Sequence, residues 1–263
     1  MLPRRENREA TRRQEERSRV KVALFVTCLV DQIYPDVGVA TVRLLRRLGC
    51  EVEFPRVQTC CGQPFWNSGL ASEARDVAAT LLDAFEEYDH VVTPSGSCAA
   101  MVVRHYGELF AGDPTQSARA CALSAKTREL SQFLVHVLGV DDVGARFPYR
   151  VTWHPSCHAL RGLALVDEPL QLLRHVRDLE LVPLVRAEDC CGFGGVFAAK
   201  YGGISGAMAA EKCEHVEGTR AAYLAGSDMG CLMNIQGALS RRGANVKAVH
   251  LAQILEGSLG GAR

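Results

Sequence analysis

The sequence has no surplus of either charge. Its 263 residues carry 30 Lys+Arg against 30 Asp+Glu. A chain without a basic excess lacks the electrostatic footprint of a nucleic-acid or anionic-membrane binder, so neither is expected as a partner. Long hydrophobic runs are missing too. The longest uncharged apolar stretch, residues 22–30, spans nine residues, where about 20 are needed to cross a bilayer as a helix. No transmembrane segment is expected. The N-terminus is basic, but no apolar segment follows it as in a secretion signal, and its acidic residues argue against a transit peptide. A cytoplasmic location is the expectation. Also absent are a Ser-His-Asp order, a paired-carboxylate motif, a flavin fingerprint, G-x-G-x-x-G and the Walker pattern. The chain has no evident means of doing organic chemistry on a substrate alone.

What is present is cysteine, eleven in all. Without a secretion signal these are expected as thiols, metal ligands or redox groups rather than as a disulfide framework. Residues 1–19, with seven Arg and four Glu, are expected to be a solvated flexible tail outside the fold.

The cysteines repeat. A Cys-Cys-Gly triplet occurs at Cys60-Cys61-Gly62 and again at Cys190-Cys191-Gly192. Each has a lone cysteine upstream, Cys28 and Cys157, and one downstream, Cys98 and Cys231. The offsets between halves are 129, 130 and 133 residues. The simplest origin is a duplicated domain. The halves meet near 143–148, where Gly144 and Pro148 read as a linker, giving domains 20–145 and 146–263.

Short apolar runs lead into these cysteines. Residues 20–27 end at Cys28, 90–93 lead to Cys98, 149–153 to Cys157, 179–185 to Cys190 and 223–226 to Cys231. Such runs fit buried parallel strands. Between them, Leu70, Ala74, Val77, Leu81 and Phe85 recur at helical spacing, as do Leu130, Phe133, Leu134, Val137 and Leu138. The expected fold class is therefore α/β: two tandem, pseudo-two-fold-related domains, each a parallel sheet flanked by helices. Ligand crevices in such sheets form past the carboxyl ends of the strands. Each set of four cysteines should gather there, facing the groove between the domains.

Four cysteines per half match a cluster held by four thiolates, so the expected cofactor is one or two iron–sulfur clusters, of the [4Fe–4S] type. Neighbouring cysteines rarely bond to each other, because the small ring is strained, but adjacent thiolates can reach two irons of one cluster. Gly62 and Gly192 let the backbone turn tightly beneath it, and Gly194 extends that glycine-rich turn, whose amides could point at sulfur. Structural zinc is the alternative, although its ligands usually come in C-x₂₋₄-C pairs; buried or redox thiols without metal are a third. His154 and His158 flank Cys157 and could donate an N–H to sulfur or replace a thiolate. Cys50, Cys121 and Cys213 have no repeat partners and read as buried structural thiols.

These residues resemble the paired CCG domains in the cysteine-rich components of heterodisulfide reductase, glycerol-3-phosphate dehydrogenase and glycolate oxidase. They are most similar to the lactate-utilisation protein A family. The segments that carry the resemblance are Phe25-Val26-Thr27-Cys28, Cys60-Cys61-Gly62-Gln63-Pro64, Pro94-Ser95-Gly96-Ser97-Cys98, Val143-Gly144-Ala145-Arg146, His154-Pro155-Ser156-Cys157, Cys190-Cys191-Gly192-Phe193-Gly194-Gly195 and Cys231-Leu232-Met233-Asn234-Ile235. The resemblance implies an iron–sulfur electron-transfer component of an oxidoreductase system. It would act with two other lactate-utilisation proteins to convert L-lactate to pyruvate. One departure stands out. The heterodisulfide reductase branch ends each half in C-x-x-C, and the matching positions here are Met101 and Asn234. That lowers the expectation of a disulfide-reducing, non-cubane centre.

Overall fold

The computed structural model describes residues 20–257; the expected tail at 1–19 lies outside them. In the first repeat the chain runs β1 (Lys21–Leu24), α1 (Cys28–Gln32), α2 (Pro35–Arg47), β2 (Glu51–Glu53), α3 (Gln63–Trp66), α4 (Ala71–Phe85), β3 (Val91–Thr93), α5 (Gly96–Leu109), α6 (Pro114–Lys126) and β4 (Thr127–Glu129). It closes with α7 (Leu130–Gln132), which passes into a π-turn at Phe133–Val137. The second repeat runs β5 (Arg150–His154), α8 (Cys157–Leu163), α9 (Glu168–Arg174), β6 (Glu180–Val182), α10 (Val196–Lys200), α11 (Gly202–Gly218), β7 (Tyr223–Gly226), α12 (Met229–Arg241), β8 (Lys247–His250) and α13 (Leu251–Glu256).

Each repeat builds a four-stranded, all-parallel sheet with the same order, β2-β1-β3-β4 and β6-β5-β7-β8. The registers coincide as well. Lys21 lies opposite Glu51, and Arg150 opposite Glu180, each as an ion pair. Leu24 pairs with Val92 as Trp153 pairs with Ala225. At the end of the fourth strand, Glu129 and His250 both cap the next helix through a reciprocal capping box. The fold is thus α/β with two parallel sheets flanked by helices.

The central strands are apolar because helices cover both faces; Val22, Val92, Val151 and Leu224 are fully buried. The edge strands differ. β6 is short and partly exposed, and Val185 beyond it is 64% exposed, so the run 179–185 is not a buried strand. In α4 the buried face is Ala74, Ala78, Leu81, Leu82 and Phe85, while Leu70 lies before the helix and is exposed.

One core cluster joins the repeats, combining Val22, Leu44 and Phe133 with Val151, Leu172 and Leu255. The connection between the repeats is part of it. Ala145 and Phe147 are buried, and both exchange backbone hydrogen bonds with Arg177. Within the stretch read as a linker, Gly144 and Pro148 are exposed while Ala145 and Phe147 pack into the shared core. Arg47 adds a further tie, donating to the Leu255 and Glu256 carbonyls at the end of α13.

Candidate metal centre

Within each sheet the chain order reverses between the two central strands, β1 and β3 or β5 and β7. Helices leave those strands toward opposite sides, which opens a crevice at their carboxyl ends. The lone cysteines flank it. Cys28 opens α1 after β1, and Cys98 sits in the first turn of α5 after β3. Cys157 opens α8 after β5, and Cys231 sits in the first turn of α12 after β7. The Cys-Cys pairs arrive from the loops after the edge strands β2 and β6. All eight line one cavity of about 310 Å³, together with Ser97, His158, Phe193, Gly194 and Asp228.

Inside that cavity they form two quartets. Cys61 and Cys98 have their Sγ atoms 3.4 Å apart, and Cys60 lies within hydrogen-bonding reach of both Cys28 and Cys61. Cys190 stands in the same relation to Cys157 and Cys191, and Cys191 reaches Cys231. Cys61, Cys98, Cys191 and Cys231 are buried, Cys28 is exposed, and Cys60, Cys157 and Cys190 are intermediate. In both quartets the first cysteine of the pair is the acidic one. Hydrogen bonds from Cys28 and Cys61 pull the Cys60 thiol down to about 3, and those from Cys157 and Cys191 pull Cys190 to about 2. The neighbours that donate those bonds, Cys28, Cys61, Cys157 and Cys191, are pushed up, and burial adds to the effect. Four crowded thiols can all ionise only when a multivalent cation neutralises them.

The surroundings favour negative charge. Two long helices, α5 and α12, point their N-termini at the thiols. The Gly192 N–H points at Cys190 Sγ at 3.4 Å, and the Phe193 N–H at Cys191 Sγ at 3.5 Å. Gly62 and Gly192 both hold φ of +83°. A side chain on Gly192 would come within 2.6 Å of the Ser205 carbonyl, and one on Gly62 within 3.0 Å of the Ala74 carbonyl. Gly194, at φ +51°, is closed in by Phe197. The turns beneath the pairs therefore require glycine. Helices α5 and α12 hold the pairs from behind by different means. Tyr106 donates its hydroxyl to the Cys61 carbonyl at 3.0 Å, and Asn234 donates its amide to the Cys191 carbonyl at 2.8 Å. Met101, the counterpart of Asn234, is fully buried in the apolar cluster that contains Cys61 and Cys98.

The two histidines differ. His158 lines the cavity with Nδ1 3.6 Å from Cys157 Sγ. His154 ends β5, is 1% exposed, and neither ring nitrogen has a hydrogen-bond partner. A ligand atom of its ring lies within 4.8 Å of the sulfurs of Cys191 and Cys231. Burial keeps the ring neutral, with its pKa lowered to about 3. A buried imidazole without a partner beside two thiols is what a site built for a further group would present. With these donors, each quartet can hold a metal ion or an iron–sulfur group.

Three features do not follow from the sequence pattern. Cys121 is exposed on α6, not buried; Cys50 and Cys213 are buried. Lys212 lies buried in α11 beneath the second pair. Asp228 and Ser97 meet across the repeats. Cys121 lies off the narrow buried stripe of its helix, Lys212 stands out only when the repeats are aligned helix by helix, and the Asp228–Ser97 pair has no local signal. Among the described residues, no helix is long and apolar enough to cross a membrane.

Comparison with known proteins agrees with the duplication. The model of the CCG cysteine-rich domain matches twice, at residues 22–103 and 151–236. Over 236 residues, the chain is 54% identical to lactate utilization protein A of Geobacillus thermodenitrificans, covering 90% of this chain and 98% of that one. The same protein of Geobacillus kaustophilus is 54% identical with the same coverage. That of Bacillus velezensis is 51% identical, covering 90% of this chain and 99% of its own. Two cysteine-rich repeats and identity across nearly the full length of these relatives place the chain in the lactate utilization protein A family.

Proposed function

We propose that this chain is the iron–sulfur electron-transfer component of a cytoplasmic, multi-protein system that oxidises L-lactate to pyruvate. One observation carries the reading: four cysteines from each repeat line a single cavity at the ends of parallel strands. Cys28, Cys60, Cys61 and Cys98 would hold one [4Fe–4S] cluster, and Cys157, Cys190, Cys191 and Cys231 a second. Such clusters supply one-electron redox centres. The amides of Gly192 and Phe193 orient toward sulfur, Gly194 continues that turn, Gly62 shapes the equivalent turn, and His154 and His158 stand beside the second quartet. Lactate enters from the name of the relatives. The sequence has no flavin or nicotinamide fingerprint, so in this reading removal of the substrate's electrons rests on partner proteins, two by family likeness.

The test is genetic. In a strain without flavin-dependent lactate dehydrogenases, deleting the gene should abolish growth on L-lactate and spare growth on pyruvate. The wild-type gene should restore growth, and a Cys61→Ser, Cys191→Ser double variant should not. Normal growth on lactate after deletion contradicts the reading.

The open cavity favours a second reading, reduction of a small disulfide to two thiols between the quartets, since its volume is that of a small-molecule site. Dithionite-reduced protein that cleaves low-molecular-weight disulfides catalytically would support it.

A further inference from the structure

The two quartets do not have equal surroundings. Gly62 abuts the Ala74 carbonyl in α4, and Gly192 abuts the Ser205 carbonyl in α11, which aligns the two helices. In that alignment Leu81 corresponds to Lys212. The strand-to-helix turns align Phe25 with His154, each three residues before its cysteine. In the first repeat, Phe25 and Leu81 are buried in the apolar cluster that contains Cys61 and Cys98. In the second, the same two positions carry nitrogen bases, both only 1% exposed.

Lys212 Nζ donates to the carbonyls of Arg186 at 2.8 Å and Ala187 at 3.1 Å, in the segment leading to the Cys190-Cys191 pair. Of the nearby carboxylates, Asp189 is engaged by Arg186 at 2.7 Å, and Glu211 also pairs with Arg186. His154 presents an unpartnered ring to Cys191 and Cys231. A buried ammonium is costly unless negative charge compensates it.

We propose that Lys212 and His154 hold the cluster of the second quartet at a higher reduction potential than that of the first. The inference rests on the iron–sulfur reading above. Reduction adds one electron to a cluster and no proton, so its charge becomes more negative by one. A fixed cation and an N–H donated to sulfur favour that state, and an apolar wall disfavours it. Asp228 acts in the opposite sense, but two hydrogen bonds from Ser97 in the first repeat bind its carboxylate. With dithionite as reductant, the centre at Cys157, Cys190, Cys191 and Cys231 is reduced first.

The experiment is a redox titration of the anaerobically purified full chain, followed by electron paramagnetic resonance. The wild type should show two separate midpoints, and Cys191→Ser should remove the upper one. Lys212→Leu and His154→Phe, which install the first repeat's residues, should each lower the upper midpoint and leave the lower unmoved. Lys212→Arg, which keeps the charge, should retain the upper midpoint. If Lys212→Leu does not fold, Lys212→Met and His154→Phe carry the test. Midpoints unchanged in these variants, or movement of the lower one instead, overturn the inference. A wild type without iron and sulfide refutes the underlying iron–sulfur reading instead.

Discussion

Asp228 is the N-cap residue of α12, yet its side chain caps another helix. It makes no side-chain bond to its own first turn. The Ser97 N–H, in the first turn of α5, donates to Asp228 Oδ2 at 2.7 Å, and the Ser97 hydroxyl donates to Oδ1 at 3.1 Å. The neighbouring Gly96 N–H donates to the Ser227 carbonyl at 3.2 Å. Ser97 adjoins Cys98, and Asp228 is three residues from Cys231. One carboxylate thus fixes the helices that carry Cys98 and Cys231 relative to each other, and with them the two quartets.

Asp228→Ala should cost about 2–3 kcal/mol, since it removes two hydrogen bonds to a charged group and leaves the half-buried Ser97 amide without its partner. Asp228→Asn should cost less, because one acceptor oxygen remains. Denaturant midpoints of the two variants measure this. An Asp228→Ala variant as stable as the wild type contradicts the cross-repeat cap.

His250 should make the fold acid-sensitive. Its Nε2 faces the Pro94 carbonyl, which can only accept, and its Nδ1 accepts the Ala252 N–H. The ring is therefore neutral, and burial lowers its pKa to about 4. A lowered folded pKa gives stability that is complete above the unfolded value of about 6.5 and is lost as pH falls toward 4. The loss reaches about 3 kcal/mol for this group. Glu129, its counterpart in the first repeat, has the opposite sign. Burial raises its pKa to about 7, so its contribution is present below about 4.5 and lost as pH rises through 7. Stability measured against pH should lose about one proton of slope between 6.5 and 4 in His250→Gln. His154, lowered to about 3, retains its own share. An unchanged slope contradicts the assignment.

The turn glycines should not be interchangeable. The left-handed backbone alone costs alanine about 1–2 kcal/mol at either position. The Ser205 carbonyl lies 2.6 Å from the added carbon at Gly192, against 3.0 Å to Ala74 at Gly62. Gly192→Ala should therefore destabilise more than Gly62→Ala and empty the second quartet preferentially. Thermal melts with metal analysis of both variants decide this. Equal, small effects would show that the turns can relax.

Much of this arrangement is legible in the sequence because cysteine is rare enough for a three-point repeat to stand out, and because β1, β3, β5 and β7 are apolar runs ending at cysteines. Strands β2, β4 and β8 are not. β2 reads Glu-Val-Glu and β4 reads Thr-Arg-Glu, three residues each, with ion pairs or caps in place of an apolar pattern. β8 carries a lysine and ends in a capping histidine. The merging of both quartets into one cavity depends on packing between α5 and the second repeat. There Gly96 and Gly162 leave room for Ala159 and Ala100 to approach closely, and no local pattern announces that. Cys121 departs from its expected burial because α6 buries only a narrow stripe around Ala120 and Leu123, and the cysteine lies outside it.

Cysteine substitutions separate the quartets from the rest. Cys61→Ser and Cys191→Ser should each remove the metal of their own repeat, since both thiols are buried between two others. Cys121→Ser should change metal content by no more than the error of the assay, because that thiol is exposed and remote in sequence from both quartets. If Cys121→Ser emptied a site as thoroughly as Cys61→Ser, the ligand assignment would be wrong.

The most direct test of the central claim is iron and acid-labile sulfide analysis of protein made and purified without oxygen and with ample iron. Two four-thiolate centres in one cavity predict iron and sulfide in equal amounts, about eight of each per chain, falling to about four in Cys61→Ser or Cys191→Ser. Stoichiometric zinc without sulfide, or thiols free of any metal, would contradict it.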